Sequence, residues 1–158
     1  MKNTQVADIV EWQLAAEFRV GCVPVAQPRQ RHRVIRVGGR TMAANYTPTR
    51  DPVNAYKASV RMAAVAAYDG APLEGPLRVG VVFVFDRPAY LLKPRSPDAR
   101  VLCGKKPDSD NLLKSTFDAL NKLLWLDDSQ VCTVIAEKFF RSRSEQPHVE
   151  ITVWQVGK

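Results

Sequence analysis

The 158-residue chain, 46% hydrophobic and 25% charged, suits one soluble globular domain with a single core. Its three cysteines (Cys22, Cys103 and Cys132) are widely spaced without a C-x-x-C pattern, which excludes a disulfide scaffold and a zinc site; no signal-peptide core opens the chain, and the apolar run Val79–Phe85 is too short to cross a bilayer. The expectation is an intracellular protein with no membrane span, and 23 basic against 16 acidic side chains, a formal charge of +7, favour a polyanionic partner, nucleic acid or an anionic membrane surface, although solubility is the plainer use of the same charge; no membrane partner is expected.

Residues 4–16 carry Val6, Ile9, Val10, Leu14 and Ala15 at helical spacing, which predicts a short N-terminal helix as an extension (1–16) to a domain spanning 17–158. From Glu17 to Val25 the pattern turns strand-like around Phe18, Val20, Cys22 and Val23. Arg33–Val37 and Arg40–Ala44 flank Gly38-Gly39, which predicts a tight hairpin because both glycines tolerate positive φ. Asp51-Pro52 then opens a helix with Val53, Tyr56, Val60, Ala63, Ala64 and Ala67 on its apolar face, stopping near Asp69-Gly70. Leu77–Phe85 is β-branched and aromatic and reads as a central strand. Residues 86–107 form a long loop with four prolines, of a length usually functional or mobile. A second helix runs from about Asp110 to Leu124, burying Leu112, Leu113, Phe117, Leu120, Leu123 and Leu124. Gln130–Phe140 and His148–Gln155 alternate as two further strands, predicted to form a hairpin through Ser142–Pro147. Without a regular βαβ repeat, the fold class is α+β: one domain with a small mixed sheet and two main helices.

The chemistry concentrates in Lys106-Pro-Asp-Ser-Asp-Asn-Leu-Leu-Lys114, Asp118-Ala-Leu-Asn121 and Trp125-Leu-Asp-Asp-Ser-Gln-Val131. If Asp108 to Asp110 stays extended, side chains two residues apart point the same way and two carboxylates converge. Lys114 follows Asp110 by four residues, on the same helical face. Two carboxylates beside a cation suit a hard divalent metal that carries a phosphate. Plainer readings compete. Asp and Ser before a helix are preferred caps, Lys114 and Asp118 could be a solvated pair worth about a few tenths of a kcal/mol, and Asp127-Asp128 could be a turn. On the Pro-Asp-Ser-Asp-Asn stretch alone, capping is the better reading.

Joined together, the segments resemble the signature of RusA-type Holliday-junction resolvases: P-D-x-D-N-L-x-K, then D-A-L-N, then W-x-D-D-x-Q-V, in order across residues 106–131. The R-x-R segment at Arg29–Arg33, Tyr46-Thr-Pro48 and Lys138 also look familial, whereas residues 1–16 and 86–105 lie outside the resemblance. The resemblance implies an Mg²⁺-dependent endonuclease of DNA recombination and repair, cutting four-way junctions by paired symmetric nicks as a homodimer. It places an acidic, metal-holding triad on Asp108, Asp110 and Asp128 and an essential lysine on Lys114; Mg²⁺ (or Mn²⁺) would position the scissile phosphate and acidify a water for in-line attack. Asp127 receives no role.

Spacing adds a constraint. Asp110 opens the second helix and Asp128 lies beyond its end, and about 14 residues at ~1.5 Å each separate the helix ends by roughly 20 Å. Ligands of one ion must lie at ~2.0–2.1 Å from it. The spacing therefore predicts a composite site, with Asp108 and Asp110 from one subunit and Asp128 from its mate, formed twice in a twofold dimer. The apolar face of helix two and the Leu123–Leu126 corner are candidate interface, with core packing the plainer role.

Two basic clusters are candidates for phosphate contact: Arg29, Arg31, Arg33, Arg36 and Arg40 with His32, and Lys93, Arg95, Arg100, Lys105 and Lys106 leading into the acidic motif; Lys138 is a further one. Tyr90, Leu91 and Leu92 could wedge into a junction, although a packed loop is the plainer reading. Two rivals compete with the nuclease: a non-catalytic dimeric DNA-binding module whose aspartates cap a helix, and a metal-dependent phosphohydrolase or nuclease with another substrate, nucleotide or RNA. The lack of a G-x-x-x-x-G-K-[ST] loop argues against a mononucleotide.

Overall fold

The computed structural model describes residues 10–28, 31–46 and 50–157. In chain order it contains strands β1 (Trp12–Val20), β2 (Arg31–Val37) and β3 (Arg40–Tyr46), helix α1 (Pro52–Ala67), strands β4 (Leu77–Phe85) and β5 (Val101–Leu102), helix α2 (Ser109–Leu120), and strands β6 (Val131–Phe140) and β7 (His148–Val156). Five of these strands form one mixed sheet in the order β1-β7-β4-β6-β5, while β2 and β3 pair as a separate hairpin.

Strand alternation decides which face is buried. Leu77, Val79, Val81 and Phe83 of β4 point one way and are at most 1% exposed. Tyr56, Val60 and Ala64 of α1 and Leu112, Ala119 and Leu120 of α2 close over them. The chain is thus a single α+β domain with two helices on one face of its sheet. β4 is central, parallel to β6 and antiparallel to β7, as its β-branched composition predicts. The Gly38-Gly39 turn has φ of 56° and 79°, the mirror-image geometry that a two-residue hairpin requires. Helix α1 starts where expected, since the Asp51 carboxylate accepts from the Val53 N–H at 3.0 Å with Pro52 in the first turn.

Three expectations need correction. The helix expected over residues 4–16 is strand β1 from Trp12 onward, and residues 4–9 lie outside those described. A register shift between Leu14 and Ala16 breaks the two-residue alternation, so apolar Leu14, Ala15 and Ala16 fall in succession and imitate helical spacing. A domain boundary at 16/17 would cut this strand. Next, β6 and β7 are not a hairpin: β4 lies between them and pairs with both. Finally, α2 ends at Leu120 rather than Leu124. Asn121 leaves helical geometry and Lys122 has φ of 63°, yet Leu124 and Trp125 remain fully buried, so the turn keeps feeding apolar side chains to the core.

The long 86–100 segment is a packed structure. Arg87, only 6% exposed, donates hydrogen bonds to the carbonyls of Arg141, Leu91, Pro97, Asp98 and Ala99 at 2.6–3.0 Å. Leu91, Cys103 and Phe140 form a small second core beneath it. Leu91 is therefore a packing residue, while Tyr90 and Leu92 are about half exposed, at 47% and 53%. Among the described residues, no helix is long and apolar enough to cross a membrane.

Candidate active site

The acidic motif lies at the start of α2. Asp108 is the N-cap residue with extended backbone, and Asp110 is already in the first helical turn. The two carboxylates are therefore not on an extended stretch, as the sequence argument supposed, but at the cap and second position of a helix, where free N–H groups and the helix dipole favour negative charge. Asp108 occupies the cap position without a side-chain capping hydrogen bond. Asp108, Asp110 and Lys114 carry no side-chain hydrogen bond or ion pair among the described residues. Asp118 does not pair with Lys114. It reaches across to Lys57 of α1 at 2.9 Å, which leaves the Lys114 ammonium free on the exposed face of α2.

The approach to this helix is braced from two sides. Lys138, near the end of β6, donates to the carbonyls of Lys105 (2.7 Å) and Pro107 (2.8 Å), the latter across a cis Lys106-Pro107 peptide. Its ammonium holds the motif in place, a role the sequence did not suggest. From the other side, Gln27 N–H donates to the Asn111 carbonyl at 2.8 Å and Ser115 Oγ to the Val25 carbonyl at 2.6 Å. The chain thus enters its arginine run next to the residue that follows Asp110. Arg29 lies outside the described residues; Arg31 and Arg33 sit in β2 opposite Tyr46 and Ala44. Of the second basic cluster, Lys105 and Lys106 are exposed, with the Lys105 ammonium 4.9 Å above the Tyr90 ring.

Asp127 and Asp128 have separate roles. The Asp127 carboxylate accepts from the Ser129 N–H at 2.8 Å and caps the short turn Asp128–Gln130, with Gln130 reciprocating to the Asp127 N–H. Those Ser129 hydrogen bonds hold its carboxyl below the ordinary aspartate range. Asp128 faces elsewhere. Its Oδ1 accepts from the indole N–H of Trp125 at 2.9 Å, and Trp125 is itself fully buried with its ring edge against Phe117 at 5.5 Å between centroids. The expected Leu/Phe interface is mostly core: Leu112, Leu120 and Leu124 are fully buried, whereas Leu126 is 54% exposed.

Asp128 stands at the opposite end of the domain from Asp108. Asp128–Gln130 immediately precedes β6, while Asp108 follows the carbonyl that Lys138 holds near the far end of β6. Val131 to Lys138 at about 3.3 Å per residue spans roughly 23 Å, and twelve-residue α2 at about 1.5 Å per residue spans roughly 18 Å. In agreement, Asp108, Asp110 and Asp128 of one chain are not among the groups whose ligand atoms all lie within 4.8 Å of one another.

The described residues do contain one such group, Glu145, His148 and Glu150. Arg100 already neutralises it. Its Nε donates to both Glu145 oxygens (2.9 and 3.0 Å), and its Nη2 donates to Glu145 and, at 2.6 Å, to Glu150. These hydrogen bonds hold the Glu145 carboxyl down to about 2; for Glu150, burial raises the carboxyl but Arg100 and His148 outweigh it and leave it lowered. A guanidinium stands where an ion would have to go, so the cluster fits a structural clamp. It also removes Arg100 from the free cations facing solvent.

Comparisons agree with the motif. The family model described as endodeoxyribonuclease RusA matches residues 22–154. The chain is also similar to uncharacterized protein YqaN of Bacillus subtilis (strain 168), 32% identical over 148 residues that cover 89% of this chain and 96% of that protein.

Proposed function

The chain belongs to the endodeoxyribonuclease RusA family, and from that membership we propose a divalent-metal-dependent endonuclease, using Mg²⁺ or Mn²⁺, that resolves four-way DNA junctions inside the cell as a homodimer. The observation that carries this reading is that Asp108 and Asp110 at the head of α2, and Lys114 one turn on, have no side-chain hydrogen bond or ion pair among the described residues. A cap or a surface ion pair would use these groups, and neither does.

The donor set fits a hard cation. Asp108 and Asp110 offer carboxylate oxygens with no competing guanidinium, in contrast to Glu145 and Glu150, and Asp128 supplies a third from a partner subunit. When bound, a divalent ion supplies Lewis-acid charge for the scissile phosphate and a more acidic attacking water. The chain's own groups do the rest. Lys114 places a cation beside the phosphate, where charge grows in the transition state. Trp125 fixes the direction of Asp128 through one carboxylate oxygen and leaves the other free. Exposed Lys105 and Lys106, with the arginine run at 29–40, bind the sugar–phosphate backbone without reading bases.

Cleavage of a synthetic four-way junction, with linear duplex, flap and RNA controls, in Mg²⁺ and in EDTA tests the reading. Paired nicks on the junction in Mg²⁺ alone are expected. Binding without cutting in either Mg²⁺ or Mn²⁺ would leave a non-catalytic DNA-binding module.

A further inference from the structure

Tyr90 stands about half exposed on the packed 86–100 segment, beside a residue that is firmly anchored. Leu91 is 7% exposed and belongs to the second core with Cys103 and Phe140. The backbone on either side is fixed as well. The Leu91 carbonyl accepts from Arg87 at 3.0 Å, the Tyr90 carbonyl accepts from Ser96 Oγ at 3.1 Å, and Arg143 donates to the Lys93 carbonyl at 2.6 Å. Tyr90 is thus an aromatic ring on a rigid support, and its hydroxyl has no hydrogen bond among the described residues. The contact it does make is with Lys105, whose ammonium lies 4.9 Å from the ring centroid.

Lys105 ties this ring to the acidic motif. Its carbonyl is held by Lys138, and only Lys106 and Pro107 separate it from Asp108. Three residues span at most about 11 Å of backbone, the length of about three stacked nucleotides of one strand at ~3.4 Å each. An aromatic face, an exposed ammonium and the carboxylates therefore lie within reach of a few consecutive nucleotides. We infer that Tyr90 is a stacking platform for an unpaired base at the branch point of a DNA junction, with Lys105 taking the phosphate of that nucleotide.

The inference rests on the junction reading and deepens it by giving a means of telling branched DNA from linear. Lysine and arginine contacts alone do not, since both forms present the same phosphate charge. Inside an intact duplex each base face is covered by its neighbours, so a tyrosine held in place has nothing to stack on. At a branch point the stack is interrupted, and a base face is offered at little cost in unpairing. Every base has such a face, so the platform selects shape rather than sequence.

Binding measured in EDTA separates this step from cutting. Wild type, Tyr90→Ala, Tyr90→Phe and Lys105→Ala are titrated onto a four-way junction and onto a linear duplex of the same sequence. Tyr90→Ala is expected to lose about tenfold or more in affinity for the junction and little for the duplex. Tyr90→Phe keeps the ring and should keep the preference. Lys105→Ala should weaken both DNAs and reduce the salt slope by about one. Tyr90→Leu, with bulk but no π face, takes the place of Tyr90→Ala should the latter not fold. An abasic nucleotide placed in turn at each position beside the branch point gives a second readout. At the position that Tyr90 meets, the abasic site and Tyr90→Ala together should cost no more than either alone. Equal losses on junction and duplex, no loss on either, or losses that add at every position overturn the platform. A wild type with no preference for the junction overturns it too, together with the junction reading. A protein that prefers the junction through Tyr90 yet cuts nothing in Mg²⁺ or Mn²⁺ keeps the platform and fails only as a nuclease.

Discussion

A carboxylate that holds a metal needs a fixed direction and a free oxygen, and for the role proposed for Asp128 the Trp125 indole supplies the direction while leaving one oxygen unused. Its indole N–H holds Oδ1, and its ring is locked in the core against Phe117. Trp125→Phe keeps most of the packing and deletes that hydrogen bond, so we expect activity or metal affinity to fall about 10–100-fold, with a smaller loss of stability. Titrating Mg²⁺ in a cleavage assay alongside a thermal melt checks this; equal losses in both would make Trp125 merely a core residue. Asp110→Asn removes a negative charge beside the proposed phosphate site, so cutting should vanish while junction binding stays equal or tightens. Lys114→Ala should also lose cutting, by about 10²-fold or more, with modestly weaker binding. Gel shifts run beside cleavage separate the two effects, and loss of binding together with cutting in Asp110→Asn would argue against a purely catalytic role.

At the level of elements, two arginines hold what the sheet does not. Arg87 gathers five carbonyls beneath the 86–100 segment. Arg87→Met should cost about 3 kcal/mol or more, because the freed carbonyls remain buried without donors; limited proteolysis should then cut within residues 88–99, and a variant as resistant as wild type would refute the strut. Arg100 ties the segment's end to Glu145 and Glu150. Since Glu145 is depressed from 4.5 to about 2, its contribution is complete above about pH 4.5 and drains away as pH falls towards 2. Both partners are partly solvated, so Glu145→Gln should cost about 1–2 kcal/mol at neutral pH. Melts between pH 7 and pH 2.5 should show the gap between wild type and variant closing with acid; a constant gap contradicts the linkage.

Taken whole, the molecule places Asp108 and Asp128 at opposite ends of β6, and in the proposed composite site one copy supplies only half of the acids. Asp110→Asn and Asp128→Asn, each inactive alone, should complement when mixed after subunit exchange. A mixed dimer carries one intact site made of Asp128 from the first chain and Asp108 and Asp110 from the second. It should nick one strand of a junction instead of resolving it, which a denaturing gel shows directly. No recovery despite demonstrated exchange would mean that each chain builds its own site.

Local chemistry made much of this legible in the sequence. Asp51-Pro52, Gly38-Gly39 and the β-branched run of β4 specify cap, turn and strand through preferences acting within a few residues. The joined Pro-Asp-x-Asp-Asn and Trp-x-Asp-Asp motifs likewise marked Asp108, Asp110, Lys114 and Asp128 as chemically unusual. Three things depended on distant partners. β1 is a strand because β7 pairs with it through a bulge that disguises its alternation. β6 and β7 are parted because β4 hydrogen-bonds to both. Lys138 and Arg100 acquired their roles from groups 31 and 45 residues away. Short-range steric and capping preferences are written residue by residue, whereas long-range pairing depends on which surfaces find each other once the chain has closed.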